Sequence, residues 1–181
     1  MQEEESLVRQ AKDGDNHAFS RLYETHFDRI YRYVVFKTGD RIEAEDMTQQ
    51  VFLKAYQSIS GFNLKGPPVS SWFFRIAHNL IVDHLRKKTK QEENQVMAVD
   101  ENTIAGDDDP QTALEFSLDV ERLSAASRLL TDAQQEVISL RFAGDLPIVE
   151  VARIMGKSEG AVKALQHAAI AALRKTLQVE K

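Results

Sequence analysis

Residues 92–121 carry ten acidic side chains and neither lysine nor arginine. A run with that charge and few large apolar groups cannot bury enough surface to order itself, so it is expected to divide the 181-residue chain. From Lys90 to Pro110 it reads KQEENQVMAVDENTIAGDDDP, closing on Gly106, three Asp and Pro110, and no helical period runs through it. The expected organisation is one domain at 1–90, a flexible acidic linker at 91–111 and a second domain at 112–181. Each domain is near the small end for independent folding.

The flanks carry the opposite charge. Residues 61–91 hold six basic and one acidic group, and residues 122–181 hold nine basic and six acidic. The whole chain is at −5 because residues 1–60 (net −3) and the acidic run outweigh them. Two basic stretches around an acidic one point to a partner met locally rather than by the overall field.

Both flanks read as helical. Phe19, Leu22, Tyr23, Phe27, Ile30, Tyr31 and Val34 recur at three- and four-residue steps before Gly39, an amphipathic helix with a C-terminal stop. A second helix is expected over 41–59. It is apolar at Met47, Val51, Phe52, Ala55, Tyr56 and Ile59, and polar at Glu43, Asp46, Gln49, Gln50 and Lys54. That polar side reads as an ordinary solvated face unless something else gives it a partner. Gly61 to Pro68 holds two Gly and two Pro and must be a loop, yet it carries Phe62 and Leu64, which either cap the core or accept a ligand.

A third helix is expected to start at a Ser70 or Ser71 cap and to run to about Lys88. Trp72, Phe73, Ile76, Ala77, Leu80, Ile81 and Leu85 form its apolar stripe, while Arg75, Asn79, Asp83 and Arg86 share another face ahead of Lys87, Lys88 and Lys90. Cations take phosphates and aromatic rings stack on unpaired bases; the alternative is a solvated helix with an Arg75–Asp83 or Asp83–Lys87 pair. Beyond the acidic run, Thr131-Asp132-Ala133-Gln134 is a capping box opening a helix that stops near Gly144. Pro147 suits the first turn of a short helix from Ile148 to Met155. Gly156 breaks it, and Ser158 caps a last helix running to about Leu177.

Ala152, Gly156 and Val162 have helix-turn-helix spacing, with a small residue at the crossing, glycine in the turn and a β-branched anchor. A plain helical hairpin is the other reading. Val162, Leu165, Ala169, Leu173 and Leu177 would face inward, leaving Lys157, Ser158, Lys163, Gln166, His167, Arg174 and Lys175 outward. Lys, Gln and His can reach base edges.

Enzyme chemistry finds no support. The chain has no cysteine, which removes disulfides, thiolate metal sites and thiol nucleophiles. Gly156-Lys157-Ser158 lacks the upstream glycine of a phosphate loop, because Val151 stands there. Asp107-Asp108-Asp109 lacks calcium-loop spacing. The five histidines form no HExxH, and no GxSxG is present. Glu43 and Asp46 have nothing around them to separate their pKa values. No catalytic residue, metal, cofactor or small-molecule substrate is expected. The acidic start Met1-Gln2-Glu3-Glu4-Glu5 is unlike a secretory signal, and no apolar run approaches a membrane span of ~18–20 residues. A soluble cytoplasmic protein, not inserted in a membrane, is expected.

Three segments occur in order: Ala44-Glu45-Asp46-Met47-Thr48-Gln49-Gln50-Val51-Phe52, then Trp72-Phe73-Phe74-Arg75-Ile76-Ala77-His78-Asn79 with Asp83, Arg86 and Lys87, then Glu159-Gly160-Ala161-Val162-Lys163. Their order and separation resemble the extracytoplasmic-function (ECF, group IV) sigma factors of the bacterial sigma-70 family, over about Asp15 to Leu177. The resemblance implies an all-α protein of two small helical domains, a sigma domain 2-like bundle and a sigma domain 4-like helix-turn-helix. It implies a protein that binds core RNA polymerase through the beta-prime clamp helices and the beta flap, directs it to a promoter and promotes melting. Asp46, Gln49, Gln50 and Phe52 would dock on the clamp helices. Phe62, Asn63, Leu64, Lys65, Arg75, Asn79, Arg86 and Lys87 would read the −10 element, one base being flipped out of the stack. Lys157, Ser158, Lys163, Gln166, His167 and Arg174 would read the −35 element. The acidic linker would thread the polymerase's RNA path, and an anti-sigma factor would regulate the protein. Ala168, Ile170 and Ala171 stand where the family often has basic groups. A dimeric operator-binding regulator would explain the helix-turn-helix but leaves the aromatic Trp72–Phe74 helix without a role; a helical enzyme using Glu43 and Asp46 lacks motifs.

Overall fold

The computed structural model describes residues 2–94, 126–127 and 129–179. Among these, every regular element is helical: α1 (Gln2–Lys12), α2 (Asn16–Thr38), α3 (Arg41–Ser58), α4 (Val69–Asn94), α5 (Asp132–Ile138), α6 (Ile148–Met155) and α7 (Glu159–Val179). A 3-10 turn, Ile59–Gly61, follows α3, and a π-helical turn, Ser139–Ala143, extends α5. Of the acidic linker expected at 91–111, residues 91–94 instead end α4, because the helix carries on past its basic stretch; the rest of the linker and the Asp107–Asp109 run lie outside the described residues.

The boundaries follow local chemistry. Asp15 caps α2 by accepting from the His17 and Ala18 amides, and Gly39 ends it in the left-handed region at φ 71°. Asp40 caps α3 through the Glu43 amide. Thr131 and Gln134 form both halves of the expected capping box. Three differences stand out. α1 was not anticipated; its three Glu in the first turn and Arg9 and Lys12 in the last suit the helix dipole. Ser70 and Ser71 do not cap α4: the helix begins at Val69 and both serines are buried in its first turn. α4 also runs past Lys88 to Asn94.

Helices α1–α4 form one set and α5–α7 another, and both share one buried cluster. Leu22, Ile30, Val51, Phe73, Phe74 and Ile81 in the first set are continuous with Val137, Ile138, Leu140, Leu146 and Val162 in the second. The two blocks thus meet rather than standing apart as tethered modules. α2 packs on the π turn and α4 on α6. Asn79 and Lys163 nevertheless remain exposed. No described helix is long and apolar enough to cross a membrane, and no described group of His, Asp or Glu is arranged to hold a metal ion.

Candidate nucleic-acid interface

On α3 the exposed face is a stripe at helical spacing: Ile42, Asp46, Gln49, Leu53 and Tyr56, with Gln50 beside it. Ile42, Leu53 and Tyr56 are 62%, 56% and 47% exposed. Such apolar groups among polar ones suit a protein partner. Phe52 is not on this stripe. It is 3% exposed and packs against Tyr23, Phe27 and Phe73, with ring centroids 4.7, 6.2 and 5.3 Å away. It turns inward one residue before Leu53, so Phe52 is a core residue, and Tyr56, expected in the core, is on the surface. Tyr56 donates to Asn16 Oδ1 at 2.7 Å.

On α4, Arg75, Asn79, Asp83, Arg86 and Lys87 are exposed together, as the spacing requires. Phe73, Phe74, Ala77 and Ile81 anchor the opposite side. The loop before α4 is tightly built. Phe62 is buried with its ring centroid 5.0 Å from that of Trp72, and Lys12 on α1 donates to the Phe62 carbonyl. Asn63 Oδ1 accepts from the Lys65 amide at 3.0 Å, and the Gly66 amide donates to the Asn63 carbonyl at 2.9 Å. The loop therefore exposes Asn63 and Lys65, half-exposes Leu64 and uses Phe62 as a cap on the core. Of the two readings open for Phe62, this structure contains the cap.

In the second set, α6 and α7 form the helix-turn-helix. Ala152 and Val162 are buried, and Gly156 sits at φ 62° between them. Ser158 Oγ accepts from the Ala161 amide at 3.2 Å, so this serine caps α7. Lys157, Lys163, His167, Arg174 and Lys175 are exposed. Gln166 is half-buried, and its carbonyl accepts from Arg141 Nε at 3.1 Å. Arg141 also donates to the Leu146 carbonyl. Gln166 is thus partly spent on seating α7 against the π turn.

Sequence reasoning missed the seam between the sets. Glu136 on α5 is 7% exposed. Tyr33 donates to its Oε1 at 2.7 Å, His78 Nδ1 lies 2.9 Å from the same oxygen, and Lys37 Nζ is 2.8 Å from Oε2. Burial pushes the Glu136 pKa up, but the His78 hydrogen bond and the Lys37 charge outweigh it and hold the carboxyl at about 2. Burial, with the Glu136 charge, pushes the Tyr33 phenol well up, so it stays a neutral donor. Arg29 donates to the carbonyls of Gly144 at 3.1 Å and Asp145 at 2.8 Å, with its guanidinium 5.9 Å from the Phe74 ring centroid. Ser70 and Ser71 donate to Glu150 Oε2 at 3.1 and 2.7 Å. More than a hundred residues of sequence separate Tyr33 from Glu136, so no local pattern marks the pair.

Two family models match. Sigma-70 region 2 covers residues 22–91 and Sigma-70, region 4 covers 128–175. The chain is 37% identical over 172 residues to the ECF RNA polymerase sigma factor BldN of Streptomyces coelicolor, a match covering 94% of this chain and 64% of BldN. It is 31% identical over 181 residues to the ECF RNA polymerase sigma factor SigW of Bacillus subtilis, covering 94% of this chain and 95% of SigW. The solved structure of the sigma factor RpoE with the anti-sigma factor NepR from Bartonella quintana shares the fold, with a TM-score of 0.73 at 21% identity over 90% of this chain and 98% of that one. The two matched regions fall one on each helical set, residues 22–91 within α2–α4 with the exposed Arg75–Asn79 face and residues 128–175 on α5–α7 with the helix-turn-helix, and the chain belongs to the ECF RNA polymerase sigma factors of the sigma-70 family, which direct RNA polymerase in promoter recognition.

Proposed function

We propose that the protein acts in the cytoplasm, where its region 2 set (α1–α4) docks core polymerase and opens the −10 element while its region 4 set (α5–α7) reads the −35 element. The observation that carries this reading is the presence of three separate exposed faces whose chemistry differs by task. The α3 stripe of Ile42, Asp46, Gln49, Gln50 and Leu53 mixes apolar and polar groups for the beta-prime clamp helices. The α4 face of Arg75, Asn79, Arg86 and Lys87, with Asn63, Leu64 and Lys65, offers cations and amides for the melted strand. The α7 face of Lys163, His167 and Arg174, with Lys157, suits a duplex major groove. The acidic segment beyond the end of α4 at Asn94 joins the two units as a linker, and the region 4 set also meets the beta flap. The RpoE–NepR complex supports an anti-sigma factor as a further partner.

Run-off transcription with purified core polymerase tests this. Promoter-specific transcripts that require the protein are expected. Specific duplex binding without core, and no transcript with it, would instead identify an operator-binding regulator.

A further inference from the structure

Resting on that reading, we propose that Glu136 is a latch: seated in a socket of Tyr33, Lys37 and His78, its carboxylate holds the region 4 set against the region 2 set and keeps the free protein in a form that cannot reach both promoter elements.

Size makes the consequence unavoidable. Elements centred about 25 base pairs apart lie roughly 85 Å apart along B-DNA at ~3.4 Å per pair. A compact body of the described length has a radius of gyration of about 15 Å and a span of roughly 40 Å. The α4 and α7 faces cannot serve both elements while the sets share one core, so the seam must part.

The seam is apolar where the buried cluster runs through it and polar beside it, and the polar part has chemistry suited to parting. A hydrophobic contact resists separation in proportion to the apolar area it would expose. A buried ion pair has a different balance, because its attraction is offset by lost hydration and both partners recover water when it opens. It therefore fixes one docking geometry without making that geometry permanent. Lys37 on α2 and His78 on α4 converge on the two oxygens of Glu136, and Tyr33 completes the socket. Arg29 provides a second polar anchor through the Gly144 and Asp145 carbonyls, and Glu150 a third through Ser70 and Ser71. The fit is close: a Cβ on Gly144 would stand 2.7 Å from Phe74 Cε1, so the turn lies directly on the α4 ring.

The test exploits the cysteine-free sequence. Glu24→Cys and Ala171→Cys, both at exposed positions and one in each set, carry a spin-label pair in the full chain, and pulsed dipolar spectroscopy reads their separation. The parent should give one short distance. Glu136→Gln keeps the shape, removes the charge and leaves Lys37 without its partner; it should raise the long-distance population at least tenfold. Lys37→Met should do the same, and the double variant should open no further than either single variant, because the two act through one interaction. Apparent affinity for core polymerase should rise by the factor by which the open fraction rises. An unchanged distance distribution in a folded Glu136→Gln protein would overturn the latch, and if that variant does not fold, Lys37→Met decides by the same criterion. Opening with unchanged core affinity would overturn its inhibitory role. Failure of the parent to bind core at all would overturn the sigma reading instead.

Discussion

Asp46 and Asn79 are both exposed polar residues on neighbouring helices of one set, yet under the proposed function they do different work. Asp46→Ala should weaken core binding about tenfold, equivalent to ~1.4 kcal/mol, without moving the melting temperature. Asn79→Ala should leave core affinity intact and reduce permanganate reactivity of the melted −10 strand. Core affinity measured on both variants separates the roles; equal effects from the two would contradict them. Phe52→Ala belongs to another category. Its ring sits in a four-ring cluster with Tyr23, Phe27 and Phe73, so truncation should cost about 3–5 kcal/mol of stability in denaturant titration. The polar members of each face were legible from helical spacing, because a charged or amide group on a solvated stripe has one place to go. Phe52 was legible in the same way: spacing put it on the apolar side of its helix, the resemblance put it on the docking surface, and the ring cluster holds it in the core.

At the scale of elements, capping and periodicity placed most helices within a few residues. Thr131 and Gln134 illustrate why: the capping box is a local reciprocal bond that needs no tertiary context. Thr131→Ala should therefore cost about 1 kcal/mol, measured as a lowered unfolding midpoint. The same logic located the turn at Gly156 and the cap at Ser158. α1 escaped because its core contribution is only Val8 and Ala11, too short a stripe to show a period. Its docking comes from long-range polar contacts instead: Glu4 to buried His26 at 2.7 Å, and Lys12 to the Phe62 carbonyl. Ser70 and Ser71 had the composition of a cap, but their hydroxyls are taken by Glu150 of the other set.

For the whole molecule, the sequence showed two helical blocks and an acidic divider, and nothing in it showed that the blocks meet. Their joint depends on residues such as Glu136 that read as ordinary polar positions on an amphipathic helix. That joint carries a pH signature. The Glu136 carboxyl is held at about 2, below the ordinary 4.5. Its contribution is therefore fully present above about pH 4.5 and is lost as pH falls toward 2, a span equivalent to roughly 3 kcal/mol. Thermal unfolding of the parent should lose stability over that window, with the Glu4 carboxyl, also held low by His26, adding in the same direction. Glu136→Gln should flatten the larger part of the loss.

Under the proposed function the compact free protein becomes a two-element reader on polymerase. The separation between labels at Glu24→Cys and Ala171→Cys, recorded before and after adding core polymerase, tests this most directly. One short distance is expected in the free protein, and a separation well beyond the ~40 Å body once core is bound. The same short distance in both states, with promoter-specific transcription intact, would contradict it.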